Sequence, residues 1–160
     1  MSIQNPEPIP ILVEKLQQTQ QMLIAMLRPL ADVQDWRPDA ENWSFRYIAA
    51  HLAITEQDCF LPRAAEISSG SKPEFPYFWH THANFDEIEL TDALTLWQEK
   101  RRELLDYVAG LGGEALTFTG HHATFGDFTV AGLLTIAQEH DEEHIADLGR
   151  DIAQYQGDSG

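Results

Sequence analysis

Thr129-Val130-Ala131-Gly132-Leu133-Leu134-Thr135-Ile136-Ala137-Gln138-Glu139-His140-Asp141-Glu142-Glu143-His144-Ile145-Ala146-Asp147-Leu148 is the stretch that decides the fold. Leu133, Ile136, Ala137 and Leu148 recur at helical spacing, and His140 and His144 fall on the same stripe. Thr129 can cap the helix by accepting a free backbone N–H, and the pattern predicts a helix over about 130–155. Two rings four residues apart project from one helical face. With seven histidines in the chain, such a pair arises by chance about a third of the time, and two solvated rings are the bland reading. Their place on an apolar stripe argues against it. Buried polar groups left unpaired cost about 1–3 kcal/mol each, and one shared metal ion would satisfy both.

Outward from this helix, three more amphipathic patterns appear. The first spans about 9–30, with Leu12, Leu16, Thr19, Leu23, Met26 and Leu30 on one face, prolines at its entry and Pro29 near its exit. The second spans about 45–67. Ser44 can cap it, Ile48, His51, Leu52, Thr55, Cys59 and Pro62 share a face, and Pro62 predicts a kink or break. The third spans about 91–109, capped by Thr91 or Asp92 and stopped by Gly110-Leu111-Gly112-Gly113, with Leu94, Trp97, Arg101, Leu104, Leu105 and Val108 on its buried side. No persuasive period-2 strand interrupts them, and 114–128 reads as irregular or briefly extended. The expectation is all-α, a four-helix bundle in a single domain over 1–160.

The loop between helices two and three, 68–89, is unusually long and holds Phe75, Tyr77, Phe78, Trp79 and Phe85. Such loops often serve as lids. The alternative is that its aromatics cover an open end of the core, and both readings stand at this point.

Composition bounds the function. Apolar residues at 43% and charged residues at 22% suit a globular chain. A formal net charge of −16 repels phosphate backbones and anionic lipid, so neither nucleic acid nor membrane is expected as a partner. Cys59 is the single cysteine, which excludes an internal disulfide and a cysteine zinc cluster. With no apolar run long enough to span a bilayer and no visible signal segment, the expected compartment is the cytoplasm.

His51 repeats on the second helix what His140 and His144 do on the fourth: it lies on the Ile48/Leu52/Thr55 face. Three core-facing histidines on two helices make a candidate metal site. Thr55, Asp58 and Asp147 lie within helical reach of these rings and could orient one, although a surface or interhelical role is commoner for each. Cys59 is near in spacing, and a small buried thiol is its ordinary role. His80 and His82 would share a face if extended, and His80 with Phe78 and Trp79 could line a pocket mouth. His121 and His122 would not share a face.

Trp43-Ser44 followed by Ala50-His51-Leu52, with Phe128-Thr129 leading into His140-Asp141-Glu142-Glu143-His144-Ile145, resembles the DinB-like family of metalloenzymes. The likeness covers helices two and four well, helix one by hydropathy, and helix three hardly at all. It implies a four-helix bundle with a divalent ion on three histidines, which map to His51, His140 and His144. It also implies a homodimer. Characterised members include thiol-dependent transferases and an isomerase that uses low-molecular-weight thiols, while many members have no assigned reaction.

Three neutral imidazoles leave an ion dipositive with an open position, as in catalytic zinc sites. Imidazole suits zinc and nickel first here, with iron, copper or manganese as further choices. Such an ion lowers the pKa of a bound thiol or water. The expected function is a metal-dependent enzyme acting on a small molecule, with thiol transfer ahead of hydrolysis. The alternative is a non-catalytic metal-binding or dimeric scaffold protein. A zinc protease motif would need Glu where Asp141 stands, and a di-iron bundle would need more Glu-x-x-His than the one imperfect copy ending at His144.

Overall fold

Proline and apolar spacing set the helix limits in the computed structural model, which describes residues 2–80 and 84–159. The first helix, α1, is Ile9–Leu27, with Pro10 in its first turn, where no intrahelical N–H is required. It is shorter than the expected 9–30. Pro29 has no N–H to continue the ladder, and Arg28–Val33 tightens into a 3-10 segment.

Helix α2, Phe45–Thr55, begins as expected: Ser44 accepts the Tyr47 N–H at 3.1 Å. The break anticipated at Pro62 takes another form. Glu56–Phe60 is a π turn in which the Leu61 N–H reaches back to the Glu56 carbonyl, and α3, Leu61–Ser68, follows without leaving helical backbone. Pro62 cannot donate to the turn before it, and the wider turn absorbs the interruption. Together these segments make the second rod of the bundle, matching the expected 45–67 to within a residue.

Helix α4 is Leu90–Ala109, one residue earlier than expected, and neither Thr91 nor Asp92 caps it. Its free Leu90 N–H is taken by the Gln34 side chain at 2.7 Å, from a segment 56 residues away. Helix α5, Val130–Ser159, opens with Thr129 accepting the Gly132 N–H at 3.3 Å. It continues past Tyr155, where fraying was expected.

Three short strands join the loops. β1 is Glu74–Phe75, β2 is Gly120–His122 and β3 is Gly126–Phe128, in the order β1-β2-β3, with the first pair parallel and the second antiparallel. Strands of two and three residues carry too little alternation to be read from sequence. Gly120 is required in this sheet, since a Cβ there would lie 2.6 Å from the Phe75 ring. At the amino end, Gln4 donates to the carbonyls of Phe125 and Asp127, strapping the chain across the β2–β3 hairpin.

The four rods pack chiefly as α1 along α5 and α2 along α4. Two apolar clusters fill the bundle, one around Leu16, Phe60, Leu104 and Leu133, the other around Leu23, Leu52, Trp97 and Leu148. A polar layer separates them. Arg101 donates to Glu56 and to Asp141, Thr19 donates to Asp141 at 2.6 Å, and the Trp97 indole donates to Glu56 at 2.9 Å. Burial pulls the Arg101 pKa down, but the two carboxylates outweigh it and hold the guanidinium charged. No helix of the described residues is long and apolar enough to cross a membrane.

Candidate metal centre

α2 and α5 bring His51, His140 and His144 together at the edge of the polar layer. One ring nitrogen from each lies within 4.8 Å of the other two. His51 Nε2 is 2.9 Å from His140 Nε2, and His144 Nε2 is 3.2 Å from His140 Nε2. His51 and His140 lie 89 residues apart in the chain, so only the fold makes the cluster.

The two spacings from His140 suit a shared ion. Nitrogens about 2.0–2.1 Å from one centre, at angles of roughly 90–109°, stand about 2.9–3.4 Å apart. Protein hydrogen bonds alone serve this arrangement poorly, because His140 Nε2, with either one proton or one lone pair, would have to serve both neighbouring nitrogens. The protonation states also suit ligands. Burial, then the neighbouring rings of His140, His144 and His80, drives the His51 pKa down to about 2. Burial, with His144, Arg101 and His80 adding to it, drives His140 down to about 3. Burial lowers His144 as well, opposed by Asp147 and Asp141. All three rings are therefore neutral at neutral pH, with lone pairs to give.

A cavity of about 420 Å³ adjoins the cluster. His51 and His140 form part of its wall, with Phe60, Phe78, Trp79 and Ile136 as apolar lining. Trp43, at the start of α2, lies over the rings, 4.7 Å from His51 and stacked with His144 at 6.2 Å between centroids. Glu139, Glu143 and Arg63 supply the charge around the cavity.

The aromatic loop divides between its two anticipated roles. Phe75 and Phe85 are buried, against Phe128 and Tyr47 respectively, and close the core. Tyr77 and Trp79 stand 66% and 70% exposed at the cavity. His80 turns inward instead, its Nε2 2.6 Å from His51 Nδ1. His82 lies outside the described residues.

The supporting residues separate likewise. Thr55 is buried against the site, its hydroxyl 3.5 Å from His51 Nδ1. Asp58 is exposed, and Asp147 is exposed and paired with Arg150; among the described residues neither hydrogen-bonds to a ring of the cluster. Cys59 is both buried and part of the cavity wall, and burial raises its pKa to about 11, the state of an inert thiol. His121 is a surface residue bonded to Asp127 at 2.6 Å. His122 is buried, accepts the Thr124 N–H at 3.0 Å and lines the cavity.

Glu139, Glu143, Phe125 and Ile136 were not anticipated at the cavity. Glu139 and Glu143 sit one turn apart and next to His140 and His144, so the α5 periodicity carried a signal for them; nothing local marked Phe125.

Comparison with known proteins gives the same architecture. The model of the DinB superfamily matches residues 15–148. A solved structure, YfiT from Bacillus subtilis, described as a probable metal-dependent hydrolase with an unusual four-helix bundle topology, superposes with a TM-score of 0.74. The two are 20% identical, over 89% of this chain and 86% of that one. No curated protein matches the chain.

Proposed function

This chain belongs to the DinB superfamily, and on that premise we propose that it is a metal-dependent enzyme whose ion is held by His51, His140 and His144. The observation that carries this reading is the convergence of three neutral imidazoles beside a 420 Å³ cavity. A divalent ion held there, zinc or nickel before iron or manganese, would supply a Lewis acid able to lower the pKa of a thiol or water. The protein's own part is to shape the space. Phe60, Phe78 and Ile136 exclude water from one side of the cavity, Trp43 shields the rings, and Tyr77 and Trp79 offer aromatic faces to a small organic substrate. The reaction assigned first, in a cytoplasmic homodimer, joins the sulfur of a low-molecular-weight thiol to an electrophilic carbon as a leaving group departs or a double bond opens, the S–H proton passing to that group, to the opened bond or to solvent.

Metal analysis by mass spectrometry on protein purified without a histidine tag tests the site. About one ion per chain is expected in the parent and almost none in a His140→Ala/His144→Ala variant. Parent protein that takes up neither zinc nor nickel would return these rings to a structural role and favour a scaffold. A screen of electrophiles with and without added thiol then tests the chemistry. Turnover that ignores the thiol favours hydrolysis, the reading that the description of YfiT supports.

A further inference from the structure

We propose that His80 is a positioning residue that fixes His51 in its Nδ1–H tautomer and so keeps the Nε2 lone pair facing His140 and His144. The inference rests on the three-histidine reading of the site.

An imidazole that gives one nitrogen to an ion must place its proton on the other, and that N–H needs an acceptor. For His51 the donor is Nδ1. Thr55 Oγ1, one helical turn along, is at the outer limit of a hydrogen bond at 3.5 Å. His80 Nε2, at 2.6 Å, is the acceptor in place. Metal-bound histidines usually lean on a carboxylate, a carbonyl or water. A second neutral imidazole is a softer partner. It orients the ring without adding negative charge, and so leaves the ion more electron-poor than a carboxylate would.

Accepting at Nε2 obliges His80 to carry its own proton on Nδ1. That nitrogen is buried and finds no partner among the described residues. Packing also holds the ring of His80 in place. Its ring meets Phe78 at 5.1 Å, Phe85 at 4.7 Å and His51 at 4.8 Å, all edge to face or steeply inclined. Phe85 is 2% exposed and anchors this packing in the core. The loop that walls the cavity thus also governs a candidate ligand 29 residues upstream.

Three substitutions separate hydrogen bonding from packing. His80→Gln can place an amide oxygen near the Nε2 position and accept the same proton. His80→Phe keeps the aromatic contacts and cannot accept. His80→Ala does neither. Long-range 1H–15N correlation spectra of metal-free protein report the His51 tautomer directly, and Co2+ titration reports affinity. The parent and His80→Gln are expected to hold His51 as Nδ1–H. His80→Phe and His80→Ala are expected to show mixed tautomers and to bind Co2+ roughly 10–100-fold more weakly. Rescue by Phe and not by Gln would overturn the proposal in favour of packing alone. So would an unchanged tautomer in all three. A parent that binds no Co2+ yet shows the tautomer shift would remove the metal reading and leave the positioning role standing.

Discussion

Glu56 and Arg101 meet at 2.7 Å with both side chains almost wholly out of water. Asp141 closes on the other side of the same guanidinium at 3.0 Å. Each of these residues lies between members of the two apolar clusters on its own rod, so the bundle is ionic at mid-height. Replacing Arg101 with Met would leave two buried carboxylates without their counter-charge. A loss of about 3–5 kcal/mol is expected, read as a lower urea midpoint. Arg101→Lys should recover only part of it, because an ammonium cannot bridge both carboxylates in the fork geometry of arginine.

The buried rings make the metal-free protein sensitive to acid. Unfolded histidine has a pKa near 6.5, whereas His51 and His140 sit near 2 and 3 in the fold. Below about pH 6.5 the unfolded chain binds protons that the folded chain refuses. Stability is therefore complete above that pH and is lost as pH falls toward 3, by ~1.4 kcal/mol per pH unit for each ring. Urea midpoints of chelator-treated protein at pH 7 and pH 5 check this. An equal midpoint at both would contradict it.

Gly132 lies where α5 passes beneath the amino-terminal strap. A Cβ there would stand 2.7 Å from the Ile3 carbonyl oxygen and 2.7 Å from Phe128 Cβ. Alanine normally favours a helix, but here the strap must lift. Gly132→Ala is expected to destabilise by about 1–3 kcal/mol, with faster hydrogen exchange confined to the strap and the β2–β3 hairpin.

The two roles of the aromatic loop can be separated by stability. Phe85→Ala empties a core position and should cost about 3–5 kcal/mol. Trp79→Ala removes a side chain that is 70% exposed and should change stability by no more than about 0.5 kcal/mol. If Trp79 contacts substrate, its loss should raise KM in whatever assay the electrophile screen yields. Large thermal destabilisation by Trp79→Ala would show it to be core instead.

Much of this arrangement was legible in the sequence because it is periodic. The stripe through Leu133, Ile136, Ala137, His140 and His144 pointed two rings inward, and Ser44 marked where the helix carrying His51 begins. Arg101 was legible as buried, yet its partners were not. Glu56 and Asp141 lie 45 and 40 residues away, and no local pattern records a pairing that only packing creates. The π turn escaped for a related reason: Pro62 announced an interruption, but no local pattern says whether the chain meets it with a kink, a break or a wider turn upstream. His80 was readable as a pocket residue, though its contact with His51 depends on where Phe85 anchors the loop.

A chain with one cysteine can form no internal disulfide, yet its candidate ligands tie together segments 89 residues apart. An ion bound there would act as a reversible cross-link. Closing a loop of that length in advance removes roughly 4–5 kcal/mol of entropy from the unfolded chain, on the argument used for disulfides. A chelator would then be to this fold what a reductant is to a secreted one, and metal supply would govern how long the protein lasts as well as what it does.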